Sequence, residues 1–169
     1  MNYSISLFLV ISGLRASEAL SLTWDDIEEV DGEYFTKGLG KGNKAFYQEL
    51  YPEALVALRA AWMAVTGRKS TGSDYLFLNE YGHMMTYHTM WRRFKDIGRD
   101  ARANDVIKRE FVFSPHLLRR TYATVLHGAG MSARAVQGKI RHSNMETLTK
   151  HYLKNEESAR PYLEKILAI

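Results

Sequence analysis

The sequence contains no cysteine and no long hydrophobic run. Without cysteine there is no disulfide framework, no thiolate zinc site and no thiol nucleophile. The largely apolar stretch from Ile5 to Ile11 is short and has no basic residues before it, so it predicts a core helix rather than a signal peptide or membrane span. No linker, internal repeat or low-complexity segment divides the chain, which predicts one domain.

Basic and apolar residues are plentiful. The 169 residues are 46% hydrophobic, a content typical of a globular domain with its own core. Lysine and arginine number 23 against 19 acidic residues, and the sequence pI is near 9.2, which favours an anionic partner. We expect a cytoplasmic protein with access to DNA.

The first half of the chain predicts two helices and a small sheet. Residues 3–12 predict a buried helix that stops at Gly13, and Ser17 is a candidate cap for a second helix. Asp31-Gly32 predicts a hairpin turn between IEEV and EYFTK, and Gly38 to Asn43 predicts a second turn before AFYQELY. These segments predict a three-stranded antiparallel sheet.

The remainder predicts mainly helices. Pro52 opens one through about residue 65, residues 86–103 form another, and Ser114-Pro115 starts a third to about Leu126. Short helices follow Ser132 and Asn144, and residues 157–168 predict a last amphipathic one with an apolar stripe. The predicted fold class is α+β, mainly helical, with one small three-stranded antiparallel sheet.

A set of cations and one tyrosine carries the chemistry. His116 and Arg119 lie three apart at the start of the Ser114-Pro115 helix, where they share a face beside a helix N-terminus that favours phosphate. His142 and Tyr152 follow in IRHSNMETLTKHY. Such groups suit attack of a tyrosine hydroxyl on a phosphodiester whose charge is held by arginines, without a metal or cofactor. HxxR alone is common and also fits a surface histidine beside a solvated arginine.

Arg15 stands far upstream in GLRASEALSL, with Glu18 one turn later. The two could form a simple surface pair, which would stabilise the fold little. Alternatively, Glu18 orients Arg15 so that its planar guanidinium binds two phosphate oxygens. Lys41 lies in the glycine-rich turn, which could reach a DNA groove, or it could be an ordinary surface lysine.

Together these segments resemble the tyrosine recombinases of the phage-integrase family over essentially the whole chain. GLRASEALSLTWDDI resembles the family's first arginine box, GKGNK its hairpin lysine, HLLRRTYAT its His-x-x-Arg box and RHSNMETLTKHY its final segment. The resemblance implies site-specific DNA recombination on double-stranded DNA, by a catalytic domain that assembles as a homo-oligomer, a tetramer on DNA, and that could be a monomer off DNA.

The resemblance also implies a role for each residue. Arg15 and Arg119 would clamp the non-bridging oxygens, and Tyr152 would attack to give a 3′-phosphotyrosine. Lys41 would protonate the departing 5′-oxygen, with Lys44 or Lys37 as substitutes. The remaining roles are proton transfer by His116, a phosphate hydrogen bond from His142 and support of the first arginine by Glu18.

Three departures from the family pattern stand out. Arg141 replaces the usual Gly before His142, and Tyr152 lies ten rather than nine residues after that histidine. The first arginine box begins so near residue 1 that we expect the separate N-terminal DNA-binding domain to be absent, leaving residues 1–169 as a catalytic domain. Weak, strongly salt-dependent DNA binding would follow.

Two other functions fit part of this pattern. A tyrosine topoisomerase uses similar groups on one strand at a time, although the GKGNK hairpin and the small size favour a recombinase. A DNA-binding integrase remnant without turnover is the third possibility, which the Arg141 and spacing departures keep open.

Overall fold

The computed structural model describes residues 1–40, 42–106 and 112–140. Its helices and strands are, in chain order, α1 (Asn2–Ser12), α2 (Ala16–Ser21), β1 (Ile27–Val30), β2 (Glu33–Gly40), β3 (Lys44–Leu50), α3 (Pro52–Thr66), α4 (Tyr87–Ala103), α5 (Pro115–Gly128) and α6 (Ala133–Lys139), with a single 3-10 turn at Trp24–Asp26. The predicted mainly helical α+β fold is confirmed. The helices predicted after Asn144 and at 157–168 lie outside the described residues.

The sheet is antiparallel in the order β1-β2-β3, as predicted. Asp31 and Gly32 form its first turn with φ angles of 53° and 82°, the positive values that a two-residue hairpin requires. The second turn is shorter than predicted, because Gly38 pairs with Phe46 and Gly40 pairs with Lys44 inside the ladder.

The core lies where α1 packs between α3 and α5. Phe8 of α1 is fully buried and meets Phe77 edge to face, with ring centroids 5.2 Å apart. Trp62 of α3 is buried too, and its indole N–H donates to the Tyr75 carbonyl at 3.0 Å. The apolar N-terminal run is therefore a core helix, as predicted. None of the helices in the described part of the chain is both long and apolar enough to cross a membrane.

Candidate active site

The site begins at Gly13, where α1 ends. Gly13 has φ 63° and donates its N–H to the Leu9 carbonyl at 3.1 Å, a left-handed helix end that favours glycine. The ring of Tyr122 in α5 packs directly against it, since a Cβ built on Gly13 would lie 2.4 Å from Tyr122 Cδ1. The Gly-Leu-Arg segment thus ends one helix, admits an aromatic ring and brings Arg15 to the start of the next helix.

Arg15 is fixed by Glu18. One carboxylate oxygen of Glu18 accepts the Arg15 backbone N–H at 2.8 Å, and the other accepts from its Nη1 at 2.9 Å. The Glu18 side chain is only 2% exposed, whereas that of Arg15 is 35% exposed. Arg15 itself is the N-cap of α2, so the prediction that Ser17 caps this helix is wrong. Glu18, the acidic residue in the first turn, already accepts a hydrogen bond from the backbone N–H of the N-cap residue Arg15.

Glu18 also contacts the base of the second hairpin. A Cβ on Gly40 would lie 2.8 Å from Glu18 Oε1, so only a glycine lets β2 approach the carboxylate this closely. Gly40 is the last described residue before Lys41, which itself lies outside the described residues. Of the two substitutes, Lys37 pairs with Glu28 at 3.0 Å, and Lys44 is exposed at the start of β3.

His116 and Arg119 start α5 as predicted. Ser114 caps this helix, its Oγ accepting the Leu117 N–H at 3.3 Å. His116 is exposed in the first turn, whereas Arg119 is only 7% exposed. Its Nη1 donates to the Gly13 carbonyl at 2.6 Å and its Nη2 donates to the Ile140 carbonyl at the end of α6. Arg119 is therefore a buried, oriented cation and not a solvated charge.

These elements line an open pocket of about 280 Å³. Three helices begin at its wall, because Ala16, Tyr87 and Pro115 are the first residues of α2, α4 and α5. Helix N-termini carry partial positive charge, which adds to the two guanidiniums. The described residues that line the pocket include no carboxylate, and they are Leu14, Arg15, Ala16, Ser17, Tyr87, Pro115, His116 and Arg119.

Tyr87 is the pocket residue that sequence reasoning missed. It is exposed at the first position of α4, after Thr86, whose hydroxyl accepts the Thr89 N–H at 3.1 Å. The sequence predicts where α4 begins, but it does not predict which elements lie opposite its first residue. The structure thus brings together Arg15, His116 and Arg119, with Glu18 behind Arg15.

Two further predicted site residues, His142 and Tyr152, lie outside the described residues, as does Arg141. Within residues 1–40, 42–106 and 112–140, no three His, Asp or Glu side chains are grouped so as to hold a metal ion. Of the predicted site, the structure therefore gives the geometry of Arg15, Glu18, His116 and Arg119.

Comparison with known proteins agrees with this arrangement. Residues 1–159 match the model of the phage integrase family. The chain is 32% identical over 141 residues to tyrosine recombinase XerD of Staphylococcus haemolyticus (strain JCSC1435), a match that covers 82% of this chain and 45% of that protein. The chain thus spans about half the length of the curated relatives it matches.

Solved structures show the same fold. The XerH site-specific recombinase, bound to its difH substrate before cleavage, superimposes with a TM-score of 0.67 at 25% identity, over 99% of this chain and 45% of that one. The XerA recombinase gives a TM-score of 0.64 at 25% identity, over 99% of this chain and 58% of that one. Since the family model spans nearly all of the sequence, the chain belongs to the phage integrase family.

Proposed function

We propose that this chain is the catalytic domain of a tyrosine recombinase, which cleaves and rejoins double-stranded DNA at a specific site. The observation that carries the proposal is the placement of Arg15 and Arg119 in one pocket beside His116. The matched relatives are tyrosine recombinases, and the matched XerH structure is a complex with its DNA substrate. An exposed pocket with two guanidiniums fits a backbone phosphate.

The two arginines differ in how they would serve a phosphate. Arg119 is buried and its plane is fixed by two backbone carbonyls, so its charge is oriented before any DNA arrives. Arg15 is partly exposed and held from behind by a buried carboxylate. Donors fixed in advance around developing negative charge lower a barrier most, and losing one typically slows a reaction by about 10²–10³-fold.

The proposed reaction is a pair of balanced transesterifications. The Tyr152 hydroxyl oxygen attacks the phosphorus, losing its proton with help from His116, and the bond from phosphorus to the 5′-oxygen breaks. Lys41 (or Lys44) protonates the departing 5′-oxygen, while His142 donates a hydrogen bond to the phosphate. Rejoining reverses these steps with a new 5′-hydroxyl, so the covalent intermediate conserves the bond and no external energy source is needed.

The proposed partners and assembly follow from the same chemistry. Two duplexes must be cleaved and exchanged, so we propose a homo-oligomer, a tetramer on DNA, acting in the cytoplasm. Since lysines and arginines that contact phosphates release counterions from the DNA, the DNA affinity of this chain should fall steeply as salt rises.

The test is covalent trapping. A pool of randomised duplexes, nicked so that the cleaved fragment diffuses away, should give an SDS-stable protein–DNA adduct with the wild type. Tyr152→Phe should give none, whereas the matched control Tyr162→Phe should match the wild type. An adduct that persists in Tyr152→Phe would move the nucleophile elsewhere.

The other two functions have distinct outcomes, one in a plasmid assay and one in the trapping experiment. Relaxation of supercoiled plasmid by the monomer would indicate a topoisomerase. Site-specific DNA binding without an adduct on any nicked duplex would indicate a binding protein without turnover.

A further inference from the structure

A buried ion pair joins the sheet to the last described helix. Lys139 is the final residue of α6, and its Nζ lies 3.8 Å from Oε2 of Glu49 on the edge strand β3. Each side chain is only 5% exposed. A buried pair rarely stabilises a fold more than well-packed apolar side chains of the same volume would, because both charges lose their hydration. Net stability is therefore a poor explanation for this pair.

The position of this ion pair in the fold offers a better explanation for it. Ile140 directly follows Lys139, and its carbonyl accepts the hydrogen bond from Arg119 Nη2. The other carbonyl that holds Arg119 belongs to Gly13, which is located by its own helix end and by the Tyr122 ring. The orientation of the guanidinium thus depends on where the end of α6 lies.

The end of α6 needs an anchor. The helix has seven residues, too few for its own hydrogen bonds to fix it. Only Val136 and Lys139 among those seven are buried, and Val136 belongs to the apolar core cluster. Ile140 is partly buried and also packs against this cluster, so the ion pair of Lys139 with Glu49 is a polar anchor that adds to apolar contacts at the end of α6.

We infer that Glu49 and Lys139 are positioning residues for Arg119: their ion pair fixes the end of α6 so that the Ile140 carbonyl orients the guanidinium in the pocket. The consequence for catalysis rests on the proposed function, in which Arg119 binds the scissile phosphate. The positioning itself is a property of the fold and can be measured without DNA.

The direct test is nitrogen-15 NMR of the Arg119 guanidinium, assigned from its loss in Arg119→Lys. The wild type should show two resolved Nη signals, because both groups are hydrogen-bonded and rotation is slow. Lys139→Met and Glu49→Gln should merge them, whereas Lys69→Met, a matched change at an exposed lysine, should not. Two resolved signals in folded Lys139→Met and Glu49→Gln would overturn the inference.

A double variant distinguishes loss of positioning from loss of folding. Glu49→Leu/Lys139→Met removes both charges at once and should fold, because neither charge is left buried alone. We expect its Arg119 signals to merge although its melting temperature stays close to that of the wild type. Resolved signals in this variant would contradict the positioning role.

Adduct formation supplies the catalytic readout. Lys139→Met should slow it by about 10–100-fold, the effect of a small misplacement of a catalytic group. In an Arg119→Ala background the same change should have no further effect, and a further loss of equal size would overturn the inference. Absence of any adduct with the wild type would instead refute the proposed function, and the NMR comparison would still decide the role of the pair.

Discussion

Gly13 is a position where a single added methyl group should strongly destabilise the fold. Gly13→Ala introduces a Cβ that would lie 2.4 Å from Tyr122 Cδ1 and 2.7 Å from Cε1. The Tyr122 ring cannot move away from the added methyl group, because it is buried in the core and only 1% exposed. The same substitution also strains the backbone, since Gly13 has a φ of 63°.

The expected loss has two parts. A left-handed conformation costs a residue with a Cβ about 1–2 kcal/mol. Forcing an extra methyl group into a packed core costs about 1–3 kcal/mol more. We therefore expect Gly13→Ala to lower the free energy of unfolding by about 2–5 kcal/mol, a large share of the roughly 5–15 kcal/mol that domains possess.

Gly67 is a matched control. It ends α3 with a φ of 68°, but a Cβ built there has no atom within 4 Å. Gly67→Ala should lose only the backbone part, about 1–2 kcal/mol. Urea denaturation followed by circular dichroism would measure both variants. In a Tyr122→Leu background the difference between them should shrink, and equal losses in the wild-type background would refute the packing argument.

Three further predictions concern the site, acid stability and assembly. Glu18→Gln should slow adduct formation by about 10²-fold through misplacement of Arg15 while leaving the melting temperature nearly unchanged, and an unchanged rate would argue against that role. Hydrogen bonds from Arg68 lower the pKa of Asp74 below its ordinary value, so the native state binds fewer protons at this site than the unfolded state does. The stability that the ionised Asp74 contributes is therefore lost as the pH falls. Below about pH 4 the free energy of unfolding should therefore fall more steeply for the wild type than for Asp74→Asn in urea titrations, and parallel curves would count against it. Deleting residues 158–169 should spare folding and weaken cooperative assembly on DNA, seen by mass photometry, whereas unfolding would mean that the segment belongs to the core.

Local signals in the sequence predict the elements well. The Asp31-Gly32 turn and the Ser114 cap are both confirmed, because each depends on residues within three positions along the chain. The spacing of Arg15 and Glu18 likewise predicts their contact, which one helical turn brings about. Such features could be predicted because their physical causes are themselves local.

Residues that serve more than one structural purpose predict their surroundings less directly. Ser17 is a good cap residue, but Glu18 reaches back to an N-cap at Arg15 instead. Gly38 and Gly40 suggest a turn, yet both lie within β2, where the Phe46 ring and the Glu18 carboxylate come too close to the backbone for a Cβ. Glycine occurs where another group comes close to the backbone as readily as it occurs in turns. Only the three-dimensional structure distinguishes the two cases.

The remaining features depend on distant parts of the chain. The carbonyls that hold Arg119 lie 106 and 21 residues away in sequence. Tyr87 joins the pocket only because α4 begins opposite α2 and α5. No periodicity or motif carries such information, so the orientation of Arg119 had to come from the structure.

In the proposed reaction a phenol becomes bonded to a phosphate held by paired guanidiniums, and peptide mapping of the trapped adduct would locate that bond. Tryptic digestion followed by mass spectrometry should find the DNA 3′-phosphate on the peptide HYLK, residues 151–154, attached to Tyr152. Attachment to any other residue, or through a 5′-phosphate, would refute this reaction.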